Sequence, residues 1–160
     1  MNNYFECKVK YDKLDENGVL KSVTEAFLVV AFSHAEAETR IIKEMKPYVS
    51  GEFTVEGVKK QKIAELFGID EDGDRWYKSK VNFITLDEEK GTEKRKPCTM
   101  YAKANDIEGA LEKVREGMKG TLADYEIASI IETPIIDVYP YAEDVEVGNA
   151  FYDDEPDNKE

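Results

Sequence analysis

The chain has very little of what most enzymes use for chemistry. Its 160 residues contain one histidine, His34, and two cysteines, Cys7 and Cys98. A lone histidine with no nucleophile or acid at a catalytic spacing does not predict a catalytic set. Two cysteines outside any C-x-x-C or Cys/His motif predict neither a zinc site nor a disulfide framework, and they are typical of a reducing compartment. We therefore expect no catalytic residue, no metal and no cofactor.

Long apolar runs and phosphate-binding loops are absent as well. No stretch approaches the roughly 18 apolar residues of a membrane span, and the first residues form neither a basic nor an apolar leader. No glycine-rich phosphate loop and no G-x-S-x-G element is present. These absences favour a cytoplasmic protein with no membrane partner.

The acidic run that begins at Asp70 does not satisfy the requirements of a calcium loop. Asp70, Asp72 and Asp74 fill the first, third and fifth positions of such a loop. The sixth position, which requires glycine, is Arg75, and the twelfth, which requires glutamate, is Val81. We interpret the run as an acidic turn.

Acidic residues outnumber basic ones, and the excess is concentrated near the C-terminal end. The chain holds 35 acidic and 22 basic residues, for a net charge of -13. Residues 142–160 contain eight of the acidic residues and one lysine, so the rest of the chain has a net charge of only -6. Residues 153–160 contain no apolar side chain to bury. We expect a single domain over 1–141, followed by an acidic, disordered tail over 142–160.

One pattern occurs twice in the first 140 residues, at a distance of about 72 residues. Tyr4–Val9 matches Trp76–Val81, and Leu14–Glu16 matches Leu86–Glu88. A repeated unit predicts a pseudo-symmetric fold. We therefore expect two repeats, about 3–67 and 75–139, that superpose on each other.

Alternation and turn residues predict a hairpin at the start of each repeat. Phe5, Cys7 and Val9 alternate with charged residues, as the side chains of a half-buried strand do. Asn17-Gly18 is a strong hairpin turn because both residue types tolerate positive φ. The second strand of the first repeat then covers about 22–32.

Each repeat continues with one helix and one or two further strands. Ser33 and Glu36 form a capping box for the first helix, which we expect to run to about Lys46 and to end at Pro47. The second helix has one apolar stripe, made of Ile107, Ala110, Leu111, Val114 and Met118. The predicted fold class is α+β, with tandem pseudo-symmetric ββαβ(β) repeats and two helices packed on antiparallel sheet.

The outer face of the second strand differs between the repeats. Leu28, Val30 and Phe32 in the first repeat correspond to Tyr101, Lys103 and Asn105 in the second. Only the first repeat therefore needs a second apolar cover. The other repeat, the C-terminal segment or another subunit could supply it, so a homo-oligomer remains one of the options.

An aromatic residue precedes lysines on the outward face of each first strand. Aromatic side chains on a sheet can stack bases while lysines hold phosphates, which is how single strands are bound without sequence preference. The order of four strands and then a helix over residues 52–119 is similar to that of whirly-type single-strand binders. The net charge of -6 opposes this interpretation, because phosphate binding favours a basic surface. The candidate nucleic-acid-binding residues are Tyr4, Lys8, Lys10, Trp76, Lys78, Lys80, Tyr101 and Lys103.

Four segments resemble a known family. They are Asn3–Val9, Val49–Val55, Asp74–Lys78, and Glu116–Thr121 together with Ala123–Tyr125. They are similar to the uncharacterised family named domain of unknown function four-four-nine-four, over nearly all of residues 2–141. The resemblance implies a bacterial or phage accessory protein, and it brings no activity, cofactor or site residue.

The sequence therefore predicts a non-enzymatic binding protein, with three alternatives for what it binds. The first is a single-stranded nucleic-acid-binding accessory factor whose acidic tail recruits a partner protein. The second is an acidic interaction or inhibitor protein that presents carboxylates to a basic surface as a nucleic acid would. The third is a small-molecule-binding module with a pocket at the repeat junction.

Deletion of residues 153–160 should leave the melting temperature nearly unchanged, because this segment has nothing apolar to bury. Thermal unfolding of the full and truncated chains, followed by circular dichroism, measures the difference. A drop of several degrees would show that the segment docks on the domain.

Overall fold

The computed structural model describes residues 3–141, so the tail prediction for 142–160 lies outside the described residues. The described part has eight strands and two helices and confirms the α+β class. In chain order the elements are β1 (Asn3–Leu14), β2 (Leu20–Ala31), α1 (His34–Tyr48), β3 (Phe53–Gln61), β4 (Glu65–Phe67), β5 (Arg75–Asp87), β6 (Thr92–Ala104), α2 (Ile107–Gly117), β7 (Asp124–Glu132) and β8 (Ile135–Tyr139).

The described chain divides into two compact units. The first unit holds the described residues up to Val23, then Phe27–Lys60 and those from Val138 onward. The second holds Thr24–Ala26 and Gln61–Asp137. The expectation of one domain over 1–141 stays a prediction.

The first sheet has the strand order β3-β1-β2-β8, and α1 packs on one of its faces. The alternation in β1 is confirmed, since Phe5, Cys7 and Val9 are buried while Lys8 and Lys10 are exposed. Burial of these apolar side chains against the helix stabilises the unit by about 25 cal/mol for each Å² removed from water. The remaining buried side chains of this core are Tyr11, Phe27, Val29, Ala31, Ala37, Ile41, Met45 and Val49.

Local hydrogen bonds fix both ends of α1. The Ser33 hydroxyl accepts a hydrogen bond from the Glu36 N–H at 3.1 Å, so Ser33 is the N-cap as predicted. The Glu36 carboxylate accepts its bond from the Phe32 N–H, one residue before the N-cap, and not from the Ser33 N–H that a capping box uses. The helix continues past Pro47 to Tyr48. It ends one turn after Met45, whose carbonyl accepts a hydrogen bond from the Val49 N–H at 2.8 Å.

The hairpin turn between β1 and β2 is held by one side chain. The Asp15 carboxylate accepts hydrogen bonds from the N–H groups of Asn17, at 2.8 Å, and Val19, at 2.9 Å. Gly18 has a φ of 79°, which side chains rarely tolerate. The predicted Asn-Gly turn is therefore in place, and Asp15 is committed to it.

The second unit is a four-stranded sheet in the order β4-β6-β5-β7, with α2 on one face. β5 pairs antiparallel with both β6 and β7, and β4 pairs parallel with β6. Tyr77 and Val81 of β5 face α2, whose buried residues are Ala110 and Val114. The stripe predicted for α2 is buried in part, since Ile107 is exposed.

Corresponding strands occupy corresponding places in the two sheets. The first sheet reads β3-β1-β2-β8, and the second, reversed, reads β7-β5-β6-β4. β4 lies at the end of the first repeat but pairs with β6, and β8, at the end of the second repeat, lies beside β2. The similarity to whirly-type order therefore does not extend to a single sheet, because β3 lies in the first sheet while β4, β5 and β6 lie in the second. Superposition of the two repeats stays a prediction.

The outer face of β2 is buried only in part. Leu28 and Val30 are fully buried, whereas Phe32 is 76% exposed. β2 ends at Ala31 and Phe32 lies in the turn into α1, so Phe32 lacks a full cover within the described residues, and its need for one stays a prediction.

Gly117→Ala should destabilise the protein by about 1–3 kcal/mol, because the added Cβ would lie 2.3 Å from Phe67 Cε1 of β4 and force the ring to move. The higher helix propensity of alanine offsets less than about 1 kcal/mol of this loss. Urea denaturation measures the difference.

Gly51→Ala is the matched control, since a Cβ there meets nothing within 4 Å. Truncation of the ring in a Phe67→Ala background should remove most of the Gly117→Ala penalty. Equal stabilities for Gly117→Ala and Gly51→Ala would show that Phe67 does not pack over α2.

Candidate functional site

The outer face of the second sheet carries five of the predicted binding residues. In the register of β5 and β6, Trp76 lies opposite Lys103 and Lys78 lies opposite Tyr101. Lys78 and Lys80 are exposed, and Lys103 is half-buried. The strand alternation thus brings all five to one face, as expected.

Two of these five residues are not available to a ligand. Trp76 is 2% exposed and Tyr101 is 4% exposed, so the expectation of an exposed aromatic platform is wrong for both. Each ring removes roughly 150–250 Å² of apolar surface from water when buried, so leaving both exposed would be costly. Periodicity assigned the rings to the correct face but carries no information on what covers that face.

Among residues 3–141, the lysines at the centre of this face have no carboxylate partner. Neither Lys78 nor Lys80 forms an ion pair with another residue of the described range 3–141. Thr99 and Ser129 lie opposite Lys80 on the two neighbouring strands. A β-bulge in β7 shifts the register of its pairing with β5 between the positions of Lys80 and Val81. The result is a short cationic row bordered by hydroxyl groups, which are additional hydrogen-bond donors.

Further along the same face, a carboxylate neutralises another cation, Arg95. Glu126 Oε2 accepts hydrogen bonds from Asn82 Nδ2 at 2.9 Å and from Arg95 Nε at 3.0 Å. The Asn82 bond, followed by the Arg95 bond, lowers the pKa of Glu126. Arg95 therefore contributes little net charge to a ligand, and the cationic row is limited to the part of β5 around Lys78 and Lys80.

The binding residues predicted in the first repeat, Tyr4, Lys8 and Lys10, lie on β1 of the first sheet. Lys8 and Lys10 are exposed on the side of β1 that faces away from α1, and Tyr4 is half-buried on the same side. The predicted residues of the first repeat therefore share one face.

Of the residues considered for catalysis or metal binding, Cys7 is buried in a core and His34 lies exposed at the start of α1. Burial raises the pKa of the Cys7 thiol to about 12, so the thiol is protonated at neutral pH and does not act as a nucleophile. His34 is exposed, with its ring centroid 4.9 Å from that of Phe5. Within residues 3–141, no group of three or more His, Cys, Asp or Glu side chains is placed to hold a metal ion.

The acidic loop between β4 and β5 is held by a lysine of α2. Lys113 Nζ donates a hydrogen bond to the Asp72 carbonyl at 3.3 Å and lies 3.2 Å from Glu71 Oε1. The loop also packs closely on β6, because a Cβ on Gly73 would lie 2.9 Å from the Ala104 nitrogen. The loop is therefore an ordered connection.

A cleft of about 670 Å³ lies in the first unit, at the hairpin end of the sheet. Two tyrosines, Tyr11 and Tyr48, and two exposed leucines, Leu14 and Leu20, form its apolar part. Its polar part includes Asp12, Lys13, Ser50 and Glu52. Sequence reasoning missed this cleft; the available signal was the pair of leucines beside the Asn-Gly turn, where polar residues are usual. The pocket expected at the repeat junction stays a prediction.

A family model described as a domain of unknown function, DUF4494, matches residues 3–141. The chain belongs to this family. The resemblance noted from the sequence is thereby confirmed, although the family description gives no activity. No curated protein and no solved structure matches the chain. Neither helix of the described part is long and apolar enough to cross a membrane. For this DUF4494 protein, a functional proposal must therefore rest on the geometry of its own side chains.

Trp76→Ala should destabilise the protein by about 3–5 kcal/mol, because a large buried side chain would be replaced by a cavity. Urea denaturation followed by far-ultraviolet circular dichroism measures the loss. Leu86→Ala, on the same face of β5 but 65% exposed, should change stability by less than about 0.5 kcal/mol. A Trp76→Ala variant as stable as the wild type would place the indole in solvent.

Proposed function

We propose that this protein is a non-enzymatic factor that binds single-stranded nucleic acid through its phosphate backbone. The observation that carries the proposal is the pair Lys78 and Lys80, exposed on one strand and without a carboxylate partner among the described residues. Residues two apart on a strand are separated by roughly 6.6 Å, so both ammonium groups reach one side of the sheet. Phosphate contacts from such lysines supply sequence-independent affinity.

The lysines of the first repeat support the same proposal. Lys8 and Lys10 occupy the positions of β1 that match Lys80 and Asn82 of β5, at the repeat distance of about 72 residues, and both are exposed. Each unit then contributes two lysines from its own sheet. The burial of Trp76 and Tyr101 changes the predicted mechanism at the second sheet, because its contacts are then electrostatic and do not include stacking on those rings.

The acidic tail fits this proposal as a competitor and a recruiting segment. Residues 142–160 carry eight carboxylates, which attract the same lysines as a phosphate backbone does. The tail therefore lowers affinity for nucleic acid at low salt and leaves carboxylates for a basic partner protein when nucleic acid is bound. We further infer a bacterial or phage accessory protein of the cytoplasm, which rests on the family resemblance and on the two free cysteines.

The second candidate function is an acidic interaction or inhibitor protein that mimics nucleic acid. The net charge of -13 and the pI of about 4.6 favour it, because such a surface attracts basic partners. This candidate predicts no affinity for nucleic acid at any salt concentration. The two candidates are therefore separated by one binding measurement.

Replacing both Lys78 and Lys80 by glutamine should weaken binding of a labelled single strand and flatten its salt dependence. Each lost phosphate contact lowers the slope of log K against log salt by about 0.7 for single strands, so the double variant should lose about 1.4 from the slope. Fluorescence anisotropy over a series of salt concentrations measures both quantities.

The matched control is Lys43→Gln/Lys119→Gln, which removes two exposed lysines that lie outside both candidate faces. It should change the slope less than the Lys78/Lys80 variant does. Deletion of 142–160 should strengthen binding at low salt. The gain in affinity should become smaller at higher salt, because salt screens the charges of the tail. If the truncated protein binds no single strand even at low salt, the nucleic-acid proposal is wrong and the acidic interaction protein replaces it.

A further inference from the structure

We propose that the cleft of the first unit holds an unstacked nucleobase with an exocyclic amine, as in cytosine. The inference rests on the proposed function, in which exposed lysines of β1 and β5 contact the phosphates. The cleft would contact a base of the same strand. Its volume of about 670 Å³ lies within the roughly 300–1,000 Å³ of small-molecule sites, so one base with its sugar fits inside.

The apolar walls of the cleft suit a planar ring. Tyr48 is 46% exposed, and its ring is held by edge contacts to Tyr11, with 6.3 Å between centroids, and to Phe27, with 5.6 Å. Such contacts fix the orientation of the ring before a ligand arrives, which reduces the entropy lost on stacking. Leu14 and Leu20, both more than 60% exposed, supply apolar contact nearby.

Two carboxylates in the cleft determine which base fits. Asp12 and Glu52 line it, and neither forms an ion pair or a side-chain hydrogen bond with any other residue in 3–141. An ionised carboxylate only accepts hydrogen bonds, so it pairs with the N4 amine of cytosine and repels the O4 carbonyl of thymine. Asp15, which is nearby in the sequence, is excluded because the Val19 N–H bond and other contacts of the turn lower its pKa and occupy its carboxylate.

Lysines at the edge of the cleft can hold the phosphates on either side of the base. Lys13 lines the cleft itself. A shallower depression of about 270 Å³ shares Tyr11, Asp12 and Glu52 with the cleft and adds Lys10, one of the exposed lysines of β1. The cleft therefore adjoins a depression lined by Lys10, although Glu56 also lines that depression.

Binding of short labelled oligodeoxycytidine and oligodeoxythymidine to the full chain at low salt tests the inference. We expect about tenfold tighter binding of oligodeoxycytidine, since one good base contact of this kind discriminates by roughly this factor or more. Glu52→Gln should reduce the preference, because an amide both donates and accepts. Equal affinity of the wild type for the two oligonucleotides would overturn the inference.

A blocking variant tests the position of the base without truncating the core. Gly51 lines the cleft, and a Cβ there meets nothing within 4 Å, so Gly51→Leu adds an apolar side chain at the cleft without a clash of its Cβ. It should weaken oligodeoxycytidine binding about tenfold and leave oligodeoxythymidine nearly unaffected. Gly57→Leu, also into open space but outside the cleft, is the control and should change neither affinity.

The outcomes separate the two proposals. If the Lys78/Lys80 variant weakens both oligonucleotides while Gly51→Leu weakens neither, the cleft inference fails and the proposed function stands. If free deoxycytidine monophosphate binds in a Gly51→Leu-sensitive manner while no oligonucleotide binds, the cleft is a nucleotide site and the proposed function fails. If neither the nucleotide nor an oligonucleotide binds, both are wrong.

Discussion

The structure depends on the packing of one helix against one face of each four-stranded sheet. A helix of 11 to 15 residues is marginal by itself in water, and an isolated hairpin is no more stable. In each unit, the helix and the hairpin are stabilised by packing against each other. The apolar side chains of the first strand form the sheet surface on which the helix packs. Cys7 and Val9 do this in β1, and Tyr77 and Val81 do it in β5. Because one face of each sheet is committed to its helix, only the opposite face and the sheet ends remain for ligands.

That division explains why the candidate binding residues lie where they do. A strand with a period of two sends every second side chain away from the helix, and on β1 and β5 those side chains include the lysines. The cleft in the first unit arises differently. It forms where the β1–β2 hairpin lies beside the end of α1 and the loop into β3, so its residues come from three separate segments. The lysines offer charge without selectivity, whereas the cleft offers a ring and acceptors with defined positions.

Electrostatics limits what the lysine rows can do alone. With a net charge of -13, the chain repels a polyanion at long range, so short-range contacts would have to compensate. The pairing of Arg95 with Glu126 removes one of the few cations of the second sheet. Under the proposed function, base stacking in the cleft would add affinity that persists at salt concentrations that screen phosphate contacts.

The sequence alone determined the local elements, because their causes are local. Alternation placed Phe5 and Lys8 on opposite sides of β1, Asn17-Gly18 made the hairpin turn, and Ser33 with Glu36 started α1. Similarity between segments also identified the family over residues 3–141. Only the tertiary structure decided that β4 pairs with β6, that Trp76 and Tyr101 are buried while Phe32 is exposed, and that Tyr11, Tyr48 and Glu52 share a cleft. Periodicity assigns a side chain to a face of its strand, but what covers that face depends on residues far away in the chain, which no local pattern encodes.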